Sequence, residues 1–374
     1  MRNETLADET GAPIEHRAPL IPEHAGALIN MGVGVTVEES SHRVFPSEHY
    51  RAVGCTIVEA GSWTQAPAGT VIIGLKALPV MPPMLTHQHV FFGHAFKGQI
   101  GAQDLLDRFR RGGGELFDLE ELTDAAGKRL TTFGFWAGYV GAALAVLQAR
   151  GHITKFRRPM TKEALDALLR MKPGEDAPDP HADRALVIGA RGRSGQGAQA
   201  ALLTAGIAVT AWNRPETAGI ADRRAEVLEH SILVNAIATR GSVPPFVLAS
   251  EVDNPTRRLR TIADVTCDMN GELNALRDIN TTTTSWATPV RHLQNLDVIA
   301  IDNLPSALPV EASHSFSTAL SAHLPLWGRT DVSSPWHRAL QVYRQFVPTR
   351  SFGQMRTAGI STLLPDVPQI GFAS

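Results

Sequence analysis

The sequence predicts an α/β fold of two domains with parallel sheets separated by a cleft, and three observations carry that reading. The first is a glycine-rich run at mid-chain, Ala185-Leu-Val-Ile-Gly-Ala-Arg-Gly-Arg-Ser-Gly-Gln-Gly197. Ala185 to Ile188 reads as a buried parallel strand, Gly189, Gly192 and Gly195 permit a tight turn and close backbone approach, and Ala198 to Leu203 opens a helix. The second is the apolar strand Ile207 to Trp212, at the spacing a βαβ unit requires. Such a unit places a pyrophosphate at the positive end of a helix, where free N–H groups point at the anion. The third is position. Residues 1–184 precede this unit and alternate short strands with helices themselves, which implies a second covered sheet. The expected architecture is two Rossmann-like domains.

The elements follow in order. Pro22 to Ile29 is a helix with proline in its first turn, Gly34 to Glu38 a strand, Ser47 to Val53 a helix and Thr56 to Val58 a brief strand. Thr70 to Leu75 reads as a buried strand ending at Lys76, and Val90 to Phe92 as another ending near His94. Gln103 to Arg111 is amphipathic and stops at three glycines, Gly112 to Gly114. Glu115 to Asp118 and Arg129 to Phe133 bracket a turn at Ala125 to Gly127. Gly134 to Arg150, rich in small residues, is a packed connecting helix, and the proline-rich, acidic stretch Lys172 to Asp183 is an exposed loop. After a turn at Leu304 to Pro309, helical patterns at Glu311 to His323 and Trp336 to Phe346 are expected to cross back onto the first domain. The predicted division is residues 1–135 plus about 310–374 for substrate and catalysis, and 136–309 for the dinucleotide.

Composition bounds the function. With 374 residues, 43% hydrophobic and 19% charged, the chain has the make-up of a globular protein with substantial cores. A formal net charge of −2 supplies no field for nucleic acid or an anionic membrane, so neither is expected as a partner. The apolar run Phe133 to Leu147 is too short and glycine-broken to span a bilayer. Charged residues begin at Arg2 with no apolar segment behind them, so no signal peptide is expected. Two cysteines, Cys55 and Cys267, far apart in sequence, suggest a reducing compartment, with the cytoplasm the expected location.

Lys76 ends an otherwise apolar strand. A lysine there can face a crevice, partly desolvated, where its lowered pKa lets it act as a base; emergence into solvent is the other reading. His87 and His89 read as core histidines bonded to backbone, since no Cys or acidic ligand completes a metal set, and no metal is predicted. His94 is better placed for proton transfer. Arg17, Lys128 and Arg129 are cations available to substrate carboxylates. At the end of the second cofactor strand, where an acid usually meets the ribose, stand Asn213 and Arg214. Asn213 cannot repel a 2′-phosphate, Arg214 can pair with one, and Arg191 and Arg193 add positive charge, so NADP(H) is favoured over NAD(H). Glu216 lies close enough to serve a ribose instead.

These residues together resemble the lysine-forming saccharopine dehydrogenase family, which shares its plan with alanine dehydrogenase and transhydrogenase. The carriers are Glu15-His-Arg-Ala-Pro-Leu-Ile-Pro22, Ala60-Gly-Ser-Trp63, Ile72-Ile-Gly-Leu-Lys-Ala-Leu-Pro79, Thr86-His-Gln-His89 and Gly93-His-Ala-Phe-Lys-Gly-Gln99. Further on come the blocks Thr132 to Leu144, Ile188 to Ala198, Asn254 to Thr261 and Ile301 to Pro309. The likeness runs in order from about residue 2 to about 345. It implies Lys76 as catalytic base and His94 as catalytic acid. Arg17, Gln99, Phe133 and the pair Lys128-Arg129 are implied as substrate contacts. The glycine loop around Arg193-Ser194, with Thr217, Val265 and Ile301-Asp302-Asn303-Leu304, is implied as the cofactor contact.

Departures accompany the likeness. The family's acidic ribose ligand is Asn213, a substrate-contacting arginine is Lys128, and two fungal cysteines are Ser194 and Ala236, so no bridge forms there. Asp268 to Trp286, with Thr281 to Thr284, lacks the family pattern and is expected to line the crevice. The expected activity is NAD(P)-dependent oxidation at a CH–NH bond, interconverting saccharopine or a similar secondary-amine dicarboxylate with an amino acid and a 2-oxo acid. The alternatives are an NADPH-dependent imino-acid or opine-type reductase and a nucleotide-binding regulator without catalysis. The resemblance also implies a monomer.

Overall fold

A computed structural model describes residues 1–347, except 8–10, 180, 238, 240, 255, 270, 329, 330 and 332; the expected span to residue 374 therefore ends outside the described residues. The first half runs α1 (Pro22–Asn30), β1 (Thr36–Glu38), α2 (Ser47–Ala52), β2 (Thr56–Val58), β3 (Val71–Ile73), β4 (Gln88–Phe91), α3 (Ala102–Gly112) and β5 (Glu115–Asp118). All pairings are parallel, but the strands form a pair, β1–β2, and a separate three-stranded sheet, β3–β4–β5, where one sheet was expected. The first residues of the chain fill the gap. Glu38 N–H donates to the Met1 carbonyl at 3.0 Å and Arg2 N–H to the Ile73 carbonyl at 2.9 Å, which satisfies both inner edges.

The second half begins with α4 (Gly134–Ala149) and α5 (Lys162–Leu169), and continues through β6 (Arg184–Ile188), α6 (Arg193–Thr204), β7 (Ala208–Trp212), α7 (Arg214–Thr217) and α8 (Ile220–Leu228). It closes with β8 (Ile232–Asn235), β9 (Thr261–Asp264), β10 (Arg291–Leu293), β11 (Leu296–Ile299), α9 (Pro309–Ser321) and α10 (Pro335–Phe346). The sheet order is β10-β11-β9-β8-β6-β7, parallel except for the edge hairpin β10–β11. From β6 the chain turns to β7 on one side and to β8 on the other. The glycine loop after β6 thus opens at the strand-order reversal, where α/β sheets bind ligands.

Helix α6 begins at Arg193, five positions before the expected Ala198, because its glycines serve packing. A side chain on Gly195 would meet the Gly189 carbonyl oxygen at 2.2 Å, and one on Gly197 the Phe135 carbonyl oxygen at 1.8 Å. The absent side chains let α6 and α4 mate backbone to backbone. Strand β3 is shorter than expected, and Arg129 to Phe133 contributes only an isolated bridge, Thr123 with Arg129, instead of a strand. Helix α4 is buried along Gly138 to Ala149, at the centre of the largest core cluster. Helices α9 and α10 return to the first half, where Phe316 stacks on Phe133 at 4.4 Å and the Tyr343 hydroxyl donates to the Gly114 carbonyl at 2.9 Å.

Candidate active site

The β3–β4–β5 sheet delivers Lys76 and His94 to one cavity of about 250 Å³. After β3, Gly74 and Leu75 carry the chain to Lys76, whose backbone is fixed from below. The Glu4 carboxylate accepts the Leu75 N–H at 2.7 Å and the Lys76 N–H at 2.9 Å, while the Arg2 guanidinium bonds the Lys76 carbonyl. Lys76 itself is half-buried. Burial, with the Arg17 charge beside it, pushes its pKa below the ordinary lysine range, and Asp302, Glu15 and Glu4 oppose this incompletely. His94 follows β4 in a left-handed conformation, φ 49°, which turns its exposed ring toward the same space.

Glu120, two residues beyond β5, organises this wall. Its carboxylate lies 3.6 Å from His94 Nδ1, 3.1 Å from Lys97 Nζ and 3.3 Å from an Arg129 guanidinium nitrogen. The His94 hydrogen bond first, then the Arg129 and Lys97 charges, outweigh burial and hold its pKa at about 2. Arg17 is buried against the Glu15 carboxylate in a two-point pair at 2.7 and 2.6 Å, and lies 4.1 Å above the Phe133 ring. Burial raises the Glu15 pKa, but the Arg17 charge and hydrogen bonds win and leave it lowered. Arg17 also bonds the Asn303 side chain, which ties the two halves of the chain together across the cavity.

The facing wall comes from the six-stranded sheet. Val265, Thr266 and Cys267 follow β9, and Ile301 to Leu304 follow β11. Burial pushes the Cys267 thiol far above its usual range, so it lines the cavity as a neutral group. Behind it, the buried Asp264 carboxylate accepts hydrogen bonds from Asn235, Thr266 and Asn280. None of the described residues of Asp268 to Trp286 lines the cavity, in contrast to the expectation; Thr266 and Cys267 fill that side instead.

The cavity therefore gathers Lys76, His94, Arg17, Arg129, Phe133, Val265, Ile301, Asp302, Asn303 and Leu304 among the predicted residues. Gln99 and Lys128 lie outside its lining. The Gln99 side-chain oxygen accepts the Lys97 N–H at 2.9 Å, and Lys128 is exposed on a turn held by Asp124. His87 bonds the Ala66 carbonyl at 2.9 Å as expected, whereas His89 departs from the expected backbone bond. Its ring is sealed among Trp63, Phe91 and Phe109 with neither nitrogen partnered among the described residues, and burial pushes its pKa down to about 3. Glu120, Glu15 and Glu4 were not singled out from the sequence. The usable signals were a carboxylate just past a strand end and a Glu two residues from an Arg.

Gly189, at φ 88°, turns the chain out of β6, and Gly192 caps the amino end of α6. A Cβ on Gly189 would meet Ile237 at 2.5 Å and the Ala236 carbonyl at 2.8 Å. This cradle, with Arg193, Ser194 and Gly195 in the first helical turn, suits a pyrophosphate. Arg193 reaches away from the loop to donate to the Arg129 carbonyl at 3.1 Å and the Thr132 hydroxyl at 3.2 Å. At the end of β7 the Asn213 side chain accepts the Arg191 N–H at 2.9 Å, and the Asn213 N–H donates to the Glu216 carboxylate at 2.7 Å. Thr217 bonds back to the Asn213 carbonyl at 3.1 Å, and Arg214 is exposed.

Residues 6–140 match the family described as the alanine dehydrogenase/PNT N-terminal domain. Saccharopine dehydrogenase [NAD(+), L-lysine-forming] of Neurospora crassa is 38% identical over 352 residues, 90% of this chain and 94% of that one. Its namesake in Emericella nidulans is also 38% identical, over 90% of this chain and 95% of that protein. The chain belongs to the lysine-forming saccharopine dehydrogenase family. Among solved structures, an L-alanine dehydrogenase shares the fold with a TM-score of 0.64 at 16% identity, covering 90% of this chain and 96% of that one. A Sinorhizobium meliloti transhydrogenase gives 0.60 at 14% identity, over 84% and 90%. Saccharopine dehydrogenases are oxidoreductases, so the loss-of-catalysis reading is not favoured.

The family corrects the cofactor expectation. Both relatives are named for NAD(+), against the preference for NADP(H) drawn from Asn213 and Arg214. The geometry supplies a physical reason. Glu216 folds back onto the Asn213 N–H, and that bond holds its carboxyl below the usual range, so an anion stands at the end of β7. Read from sequence, Arg214 carries more weight than this Glu216.

Proposed function

We propose that this chain is an NAD-dependent saccharopine dehydrogenase, interconverting saccharopine with lysine and 2-oxoglutarate. The observation that carries the reading is that Lys76 and His94 share one cavity with Val265 and Ile301 to Leu304 of the glycine-loop half. In this reading residues 1–135 with about 310–374 hold substrate, and 136–309 hold the dinucleotide. Gly189, Gly192, Ser194 and Gly195, with the backbone of Arg193, would hold the pyrophosphate, Glu216 and Thr217 the adenosine ribose, and Val265 and Ile301 to Leu304 the nicotinamide. Bound there, the dinucleotide would supply the acceptor for hydride from the carbon that bears the secondary amine.

Lys76, its pKa lowered by burial, takes the amine proton in its neutral form as hydride leaves the adjacent carbon. Arg17 and Arg129 hold substrate carboxylates, and Phe133, stacked on Phe316, sets the depth of the pocket. Water then adds to the imine carbon with His94 moving protons, and the C–N bond breaks once the nitrogen is protonated. Glu120 keeps the His94 ring oriented. Gln99 and Lys128 enter this reading only through the family pattern, as residues at the rim. Two free thiols, Cys55 and Cys267, support a reducing compartment, and the reading is of a cytoplasmic monomer.

The experiment is a set of initial rates with saccharopine and either NAD⁺ or NADP⁺. Strong preference for NAD⁺ is expected, and Glu216→Gln should narrow it by about tenfold or more. Equal use of both cofactors, or no turnover of saccharopine, would contradict the reading.

A further inference from the structure

Arg193 is the first residue of α6, yet its guanidinium bonds the segment that carries Arg129 and ends in Phe133, not its own loop. The seam beneath it is tight. A Cβ on Gly134 would lie 3.3 Å from Arg193 Cβ, and one on Gly138 would lie 1.7 Å from the Ser194 carbonyl oxygen. The glycine loop therefore cannot shift without moving residues 129–134. Arg129 is exposed and pairs with Glu120, and its backbone is held by the bridge to Thr123 and, at its carbonyl, by Arg193.

We infer that Arg193 is a positioning residue for the substrate pocket: by holding the Arg129 carbonyl and the Thr132 hydroxyl it aims Arg129 at a substrate carboxylate. This rests on the functional reading above. It makes a residue of the dinucleotide loop a determinant of dicarboxylate affinity, separately from any contact with a phosphate. A single guanidinium nitrogen, Nη1, serves both acceptors, a carbonyl and a hydroxyl, on the opposite half of the chain.

The test is a double-mutant cycle on the full chain, reading the KM for saccharopine and, by fluorescence titration, the NADH dissociation constant. Arg193→Ala should raise the KM for saccharopine by about tenfold, the loss expected for charge-assisted bonds, and by more than it lowers kcat. Arg193→Lys, whose ammonium keeps the charge and can donate to both acceptors, should recover most of that KM loss, and the NADH dissociation constant should change far less than the KM in either variant. In an Arg129→Ala background the added KM penalty of Arg193→Ala should vanish. An equal penalty in both backgrounds, in an enzyme whose wild type turns over saccharopine, would overturn the inference alone. A wild type that fails to turn over saccharopine would overturn both the inference and the reading beneath it.

Discussion

Lys76 owes its chemistry to how its backbone is held. Glu4 fixes two consecutive N–H groups at the end of β3, and burial then lowers the side-chain pKa. The sign follows directly: the neutral base gains population as pH rises through a pKa below 10.5, so amine oxidation should climb with pH along that limb. Lys76→Met should erase the limb and cut turnover by about 10²-fold or more, while NADH binding is retained; a pH–rate profile and a fluorescence titration check both. Glu120 makes the opposite contribution. Its folded pKa of about 2 lies below the ordinary 4.5, so its stabilising effect is complete above the ordinary value and is lost as pH falls toward the folded one. Between about pH 5 and 3, the denaturation midpoint of Glu120→Gln should therefore fall less than that of the wild type.

Residue chemistry was unevenly legible in the sequence. Lys76 and His94 stand at strand ends, a position that announces a crevice, and the cavity contains both. Glu4, Glu15 and Glu120 carry only weak signals, a Glu two residues from an Arg or a carboxylate just past a strand end, which a solvated charge shares. The cofactor reading failed at Asn213 for a related reason. Glu216 sits three residues on, the spacing at which an acid returns to a helix-start N–H, and the sequence reading named it for a ribose but gave Asn213 and Arg214 more weight.

At the scale of elements, the α4–α6 seam explains why the glycine loop is where it is. Spacing alone gave β6, the turn and β7, since glycines after an apolar strand have few other uses. The true start of α6 was hidden because Gly195 and Gly197 lower helix propensity, and only their contacts with Gly189 and Phe135 show them to be helical. Gly138→Ala should force the seam apart, costing roughly 1–3 kcal/mol of stability and weakening NADH binding. Gly219→Ala is the matched control, with nothing within 4 Å of the added carbon and a φ of −104°. Denaturant midpoints and NADH titrations of the two variants should separate cleanly. The split of the first sheet was not legible, because residues 1–3 carry no strand signature and act only as an inserted bridge.

Across the whole molecule, well-defined links join the substrate part to the dinucleotide part. Arg17 joins Asn303, and Arg193 joins Arg129 and Thr132. Each link ends on a residue of the cavity wall, so in the proposed function substrate and dinucleotide share one frame. The most direct test of that frame is a single-turnover reaction of saturating saccharopine and NAD⁺, followed at the reduced-nicotinamide band in the wild type and Lys76→Met. The account predicts prompt band growth in the wild type and growth slowed by about 10²-fold or more in the variant, with both ligands still bound. Equal rates in the two proteins, or no band in the wild type, would contradict it.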